Sequence, residues 1–223
     1  MVRQAGGPRF RGKKGLIEAR YTAPPPASIT VCLDELGPES AKSYRGRRLV
    51  RAATDAGQPA ARATQEIDYG RRGGGDVFGA FQPATGAALA RPYDRRTTAN
   101  FVDFLTAVDR WLGPGHATVY LILDNLSIHH APDVLLFAAR HPTWAFVYQP
   151  KYAAYLNLIE PWWTILRSLA LKGRRFESWA EICLAVERAT AYWNSHKHPF
   201  VWGRRRRHRP RRKPGIALGA NVR

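Results

Sequence analysis

Cysteine is nearly absent from this chain: Cys32 and Cys183 are the two examples, far apart and in no CxxC pair. That excludes a disulfide scaffold or a cysteine zinc site and makes a reduced, cytosolic compartment the expectation. Long hydrophobic runs are missing too. Charged residues interrupt every apolar stretch before it reaches the length of a membrane span, so no transmembrane helix is expected. Met1 to Gly15 is basic and glycine-rich with no apolar stretch behind it, which is not the pattern of a signal peptide. Acidic residues are few: 17 Asp and Glu face 35 Lys and Arg, a net charge of +18 over 223 residues. Such an imbalance suits a polyanionic partner, and nucleic acid is the expected one, bound through counterion release. GC-rich coding accounts for Arg outnumbering Lys, but it does not create an excess of positive charge.

What is present is enough for a core. Hydrophobic residues make up 45% and aromatics 11%, which excludes wholesale disorder. Residues 1–27 read as an irregular basic lead-in ending in Pro24-Pro25-Pro26. Ser28 to Asp34 is a short β-rich run that ends on an acid. The polar stretch from about 37 to 75 reads as loop with an edge hairpin at most. Val77–Phe81 and Ala87–Ala90 flank the turn Pro83-Ala84-Thr85-Gly86 and predict a hairpin. From Thr98, the apolar residues Phe101, Phe104, Leu105, Val108, Trp111 and Leu112 keep helical spacing until Gly113-Pro114-Gly115. Thr118–Leu123 is a continuous apolar run, as in a strand buried on both faces, and it ends at Asp124-Asn125. A helix from Pro132 to Arg140, a strand over 144–148 and a helix from about Asn157 to Leu171 follow. Ser178 with Glu181 forms a capping-box signature for a last helix. This order predicts an α/β sandwich, a central sheet with helices on both faces.

Two acids share one context, since Asp34 and Asp124 each close an apolar strand run, where open α/β sheets place ligands. A third, Glu160, lies at the start of a helix, with either Asn157 or Glu160 itself as its cap. Three converging carboxylates repel one another, and one would stay protonated without compensation. A divalent cation removes that cost, and carboxylate oxygens are the ligands Mg2+ or Mn2+ prefers. Two such ions about 3.5–4 Å apart can activate a nucleophile and stabilise a leaving oxygen. On a basic protein this pattern points to metal-assisted phosphoryl transfer on nucleic acid.

Leu121-Ile122-Leu123-Asp124-Asn125, then His129, then Gln149-Pro150-Lys151-Tyr152, then Tyr155-Leu156-Asn157-Leu158-Ile159-Glu160-Pro161-Trp162-Trp163 resembles the catalytic region of bacterial insertion-sequence transposases. The resemblance is to the mariner superfamily, and within it to insertion-sequence family six-thirty. It covers roughly residues 28–200, and its second half is the more specific. It implies a ribonuclease-H-like fold, a central mixed five-stranded sheet flanked by helices, carrying an Asp-Asp-Glu triad. Asp34, Asp124 and Glu160 match that triad, with 35 residues between the last two. The resemblance further implies two Mg2+ (or Mn2+) ions and hydrolysis of a phosphodiester at the element's ends. Strand transfer into TA-containing double-stranded DNA would follow, carried out by a dimer or larger synaptic assembly at the nucleoid. The chain departs from the family at Leu158, where Pro is usual, and in lacking the N-terminal helix-turn-helix region. It therefore resembles the second half of a split transposase, served by a separate helix-turn-helix subunit, or a truncated remnant that only binds DNA or a partner.

Asn125 and His129 follow Asp124 closely and are candidates to orient a phosphate or a water beside it. Glu35 neighbours Asp34, but on a strand it points to the opposite face and is expected to be a bystander. Arg71 and Arg72, in a glycine-rich turn that lacks the Walker ending, are candidate DNA-backbone contacts, as is Lys151. Arg204, Arg205, Arg206 and Arg207 open the basic tail of residues 201–223, read as a phosphate-binding segment. Trp162 and Trp163 are adjacent and cannot share one helix face; both are expected to be structural.

Overall fold

A computed structural model describes residues 8–46, 68–70 and 72–203. Ten elements follow in chain order: α1 (Pro8–Thr22), β1 (Ser28–Ser40), β2 (Gly74–Phe81), β3 (Ala88–Tyr93), α2 (Thr98–Leu112), β4 (Thr118–Leu123), α3 (Pro132–Arg140), β5 (Trp144–Tyr148), α4 (Ile159–Ala170) and α5 (Trp179–Ser195). The strands form one sheet in the order β3-β2-β1-β4-β5. β1, β2 and β3 are antiparallel neighbours, whereas β4 and β5 run parallel to β1. This mixed five-stranded sheet with helices on both faces is the ribonuclease-H-like arrangement. Among the described residues no helix is long and apolar enough to cross a membrane.

Alternation along β1 divides the core in two. Val31 and Leu33 join Phe78, Leu121 and Leu123 under α2 and α3. Cys32 and Leu36 join Phe81, Ile122 and the buried faces of α4 and α5 on the other side. Burial of both faces explains why β4 is a continuous apolar run.

The last helix begins as its sequence dictates. Ser178 caps α5 by accepting a hydrogen bond from the Glu181 amide at 3.3 Å. The reciprocal bond is displaced by one residue, because Glu181 accepts from the Glu177 amide at 3.0 Å. Neither Asn157 nor Glu160 caps α4: Leu158 holds that position without a side-chain cap bond, and the Asn157 carbonyl accepts from the Glu160 amide at 3.2 Å.

Two expectations need correction. The lead-in is not irregular, since Pro8–Thr22 forms α1. Local propensity did not reveal this helix, because Gly12 and Gly15 weaken it and it has no sustained apolar stripe. Tertiary contacts hold it instead. Ile17 is fully buried, and the Tyr21 hydroxyl donates to the Leu156 carbonyl at 2.7 Å. Second, β1 does not stop at Asp34. It runs to Ser40, with a bulge between Leu36 and Glu39 where it pairs with β2. The predicted loop over 37–75 therefore begins as strand; its residues 47–67 and Arg71 lie outside the described residues.

Candidate active site

Asp34 occupies the middle of β1, on the face turned toward α4. The Trp163 indole N–H of α4 donates to Asp34 Oδ2 at 3.2 Å. Both tryptophans are structural, with Trp162 fully buried and Trp163 nearly so. The indole reaches Asp34 because Gly79 stands directly opposite Asp34 on β2. A Cβ at Gly79 would lie 2.2 Å from the Trp163 ring, so only a residue without a side chain leaves room. Burial pushes the Asp34 carboxyl up to about 7, and the negative charges of Glu35 and Glu160 add to the rise. The Glu35 amide and the Trp163 N–H pull the other way.

Asp124 follows the last residue of β4. β1 and β4 pair in parallel as far as Cys32 opposite Ile122, so Asp34 and Asp124 each lie two residues beyond the last pair, toward the same end of neighbouring strands. The Asp124 side chain is half-exposed, and its Oδ1 accepts from the Leu126 amide at 3.0 Å. The same oxygen lies 3.1 Å from Nδ1 of His129.

His129 is buried, its ring packed on Phe101 with centroids 4.5 Å apart. Its Nε2 lies 3.0 Å from Glu35 Oε1. Burial opposes a charged ring, but the bonds to Asp124 and Glu35 outweigh it and lift the imidazole to about 9. At neutral pH it is therefore an imidazolium that donates to both carboxylates. In Asp124 burial is likewise outweighed, chiefly by His129, and the carboxyl titrates below its ordinary range.

Glu160 lies in the first turn of α4 and is exposed. The buried Asn157 ties this turn to β1, donating from Nδ2 to the Leu33 carbonyl at 2.9 Å. Glu160 thus stands near enough for Asp34 to feel its charge. Among the described residues, however, no three His, Cys, Asp or Glu side chains are gathered tightly enough to enclose an ion. Asp34 and Asp124 offer hard oxygen donors of the kind that suit Mg2+ or Mn2+, and a cation would offset the negative charge of Glu35 and Glu160 that adds to the rise at Asp34.

Around Asp124 opens a cavity of about 360 Å³ lined by Asn125, Gln149, Lys151 and Tyr152. Asn125 closes one wall, donating to the Gln149 carbonyl at 2.6 Å. Lys151 and Tyr152 are exposed beside it. Arg72 is engaged within the protein, 2.6 Å from Asp68 and 3.1 Å from Glu177. Arg71 and Arg204, Arg205, Arg206 and Arg207 lie outside the described residues.

Glu35 is the residue that sequence reasoning undervalued. Parity placed it correctly on the face opposite Asp34, but its side chain is only 2% exposed and bonded to His129. The available signal was an acid alternating with Val31 and Leu33 in a strand: a carboxylate buried there requires a partner.

The family described as DDE superfamily endonuclease matches residues 29–183. No curated protein matches the chain. Among solved structures, the Mos1 transposase paired-end complex with left transposon end is similar at 17% identity and a TM-score of 0.60, over 89% of this chain and 58% of that one. The Mos1 mariner paired-end complex with Mn is similar at 16% identity and 0.55, over 86% and 61%. The Mos1 strand transfer complex is similar at 14% and 0.53, over 90% and 67%. These likenesses are of fold, and the chain spans about three-fifths of the length of the first two.

Proposed function

Because this chain belongs to the DDE superfamily endonucleases, we propose that it is the catalytic part of a metal-dependent DNA transposase of the mariner type. The observation that carries the reading is that β1 and β4 are parallel neighbours paired as far as Cys32 and Ile122, with Asp34 and Asp124 each two residues further along, toward the same end of a ribonuclease-H-like sheet. The solved relatives are transposases in complex with transposon ends, one of them with Mn, and the net charge of +18 suits the same partner.

Asp34, Asp124 and Glu160 would hold Mg2+ or Mn2+, two ions in the full assembly. When bound, these supply activation of water and neutralisation of charge on the scissile phosphate. The chain's own residues prepare that site. Trp163 fixes one oxygen of Asp34, leaving the other to act as a ligand. His129 and the Leu126 amide fix Oδ1 of Asp124. Lys151, on the rim of the cavity, positions a strand through its phosphates. The chemistry is hydrolysis followed by transfer. Water oxygen attacks phosphorus at the element's end and the 3′-oxygen leaves, taking a proton to become a hydroxyl. That hydroxyl then attacks a target phosphodiester, displacing the target strand's own 3′-oxygen. TA-containing targets, a synaptic dimer and a helix-turn-helix subunit for end recognition complete the reading.

The test is Asp124→Asn assayed on DNA carrying the element's ends. Mg2+-dependent cleavage is expected to vanish while DNA affinity stays intact or rises slightly. Full cleavage by the variant would refute the triad. Tight DNA binding by a wild-type chain that does not cleave would identify an inactive, DNA-binding remnant instead.

A further inference from the structure

Asp34 and Glu35 are consecutive on β1, yet their side chains pass to opposite faces of the sheet. Asp34 reaches Trp163 on the α4 side. Glu35 reaches His129 on the α2 side, at 3.0 Å, with only 2% of its side chain exposed. The other nitrogen of His129 lies 3.1 Å from Asp124 Oδ1. Three groups thus form a chain, Glu35–His129–Asp124, that starts on the strand carrying Asp34 and ends on the acid just past the neighbouring strand β4. Asp124 itself needs such a restraint: it lies past the end of β4, outside the strand ladder, with its side chain half-exposed. The imidazole in the middle is held by packing on Phe101, and the backbone of His129 is anchored where its carbonyl accepts from the Tyr148 hydroxyl at 3.0 Å. On the far side, Glu35 Oε2 lacks a hydrogen-bond partner among the described residues, and the Arg96 guanidinium stands 3.9 Å away.

We infer that Glu35 is a positioning residue: acting through His129, it holds Asp124 at a fixed offset from Asp34, so that the two carboxylates are set for one divalent cation before any cation arrives. A ligating carboxylate left to rotate would have to be ordered at the moment of binding, at a cost in affinity. Partners outside the ligand shell act in this way, and their loss typically costs about 10–100-fold in metal affinity or activity. The inference rests on the assignment of Asp124 as a metal ligand in the proposed function.

The probe is Mn2+ alone, titrated by electron paramagnetic resonance into the full chain without DNA, with Asp124→Asn as reference. Glu35→Leu fills the same space without accepting a hydrogen bond and is expected to weaken Mn2+ binding about 10–100-fold. Glu35→Gln keeps an acceptor for His129 and is expected to restore most of that loss. DNA affinity and its salt dependence stay at the wild-type level in both, which a general loss of structure would not allow. If Glu35→Leu does not fold, His129→Asn carries the test: its amide stands where Nδ1 stood, keeping the donor to Asp124 and cutting the link to Glu35. It is expected to lose Mn2+ affinity to the same degree. Wild-type Mn2+ affinity in Glu35→Leu or His129→Asn would overturn the inference, as would a Glu35→Gln variant no better than Glu35→Leu. An Asp124→Asn variant that binds Mn2+ as the wild type does would instead refute the ligand assignment beneath it.

Discussion

Replacing Asp34 by Asn should make the protein more stable, and more so as pH rises. The Asp34 carboxyl is pushed from 3.8 up to about 7 by burial and by neighbouring negative charge. Between those values the folded state holds a proton that the unfolded state has released, so stability falls as pH rises through this window and levels off above about 7. Each pKa unit corresponds to about 1.4 kcal/mol, so the whole displacement sets an upper limit of roughly 4 kcal/mol at pH 8. At pH 5 only about a third of that penalty has developed. Asn keeps an oxygen for the Trp163 N–H and never ionises. The gap between Asp34→Asn and wild type should therefore widen by about 2–3 kcal/mol from pH 5 to pH 8 in metal-free urea unfolding. His129, lifted to about 9, acts in the same direction at higher pH: its stabilisation is complete below its unfolded value of 6.5, falls as pH rises toward 9 and is gone above it. Taking the difference between variant and wild type cancels that contribution. Millimolar Mg2+ should then stabilise the wild type at pH 8 and leave the variant unmoved, because a cation that binds only the folded site adds to its stability. An equal gap at pH 5 and pH 8, or a variant less stable than wild type at pH 8, would refute the reasoning.

Two further outcomes follow from the same geometry and charge. Gly79→Ala forces a Cβ into the Trp163 ring and should cost at least 1–3 kcal/mol by thermal or urea unfolding, with cleavage reduced in the fraction that folds; wild-type stability would show that the ring is free to move aside. Deleting residues 204–223, which carry the Arg204–Arg207 run, should weaken DNA binding and flatten the plot of log affinity against log salt by about 0.9 for each phosphate that the segment neutralises in the intact chain; an unchanged slope would show the segment to be idle.

Much of the architecture was legible because periodicity reports burial. The unbroken apolar run of β4 and the spaced aromatics of α2 could belong only to a doubly covered strand and an amphipathic helix. The helix α1 was illegible for the converse reason: a few distant contacts, Ile17 and Tyr21 foremost, fix a segment whose own composition argues for coil. The site was half legible. Asp34 and Asp124 stood out because each closes an apolar run, yet only strand pairing reveals that their strands are parallel neighbours. Gly79, Asn157 and Trp163 could not be found in one dimension, since each matters through a residue far along the chain. Glu35 shows where parity alone misleads: the face it points to was right, and what waits on that face was invisible.

The acid pair on β1 also says what it would take to transplant this chemistry. Grafting three carboxylates onto another sheet would carry over the ligands but leave behind the rails that aim them, an indole on one side and an imidazole on the other. The smallest portable unit is a dipeptide with both of its walls, and it can be housed only in a strand sandwiched between two helical layers. A two-layer host, however well its acids were placed, would have nowhere to seat the second wall.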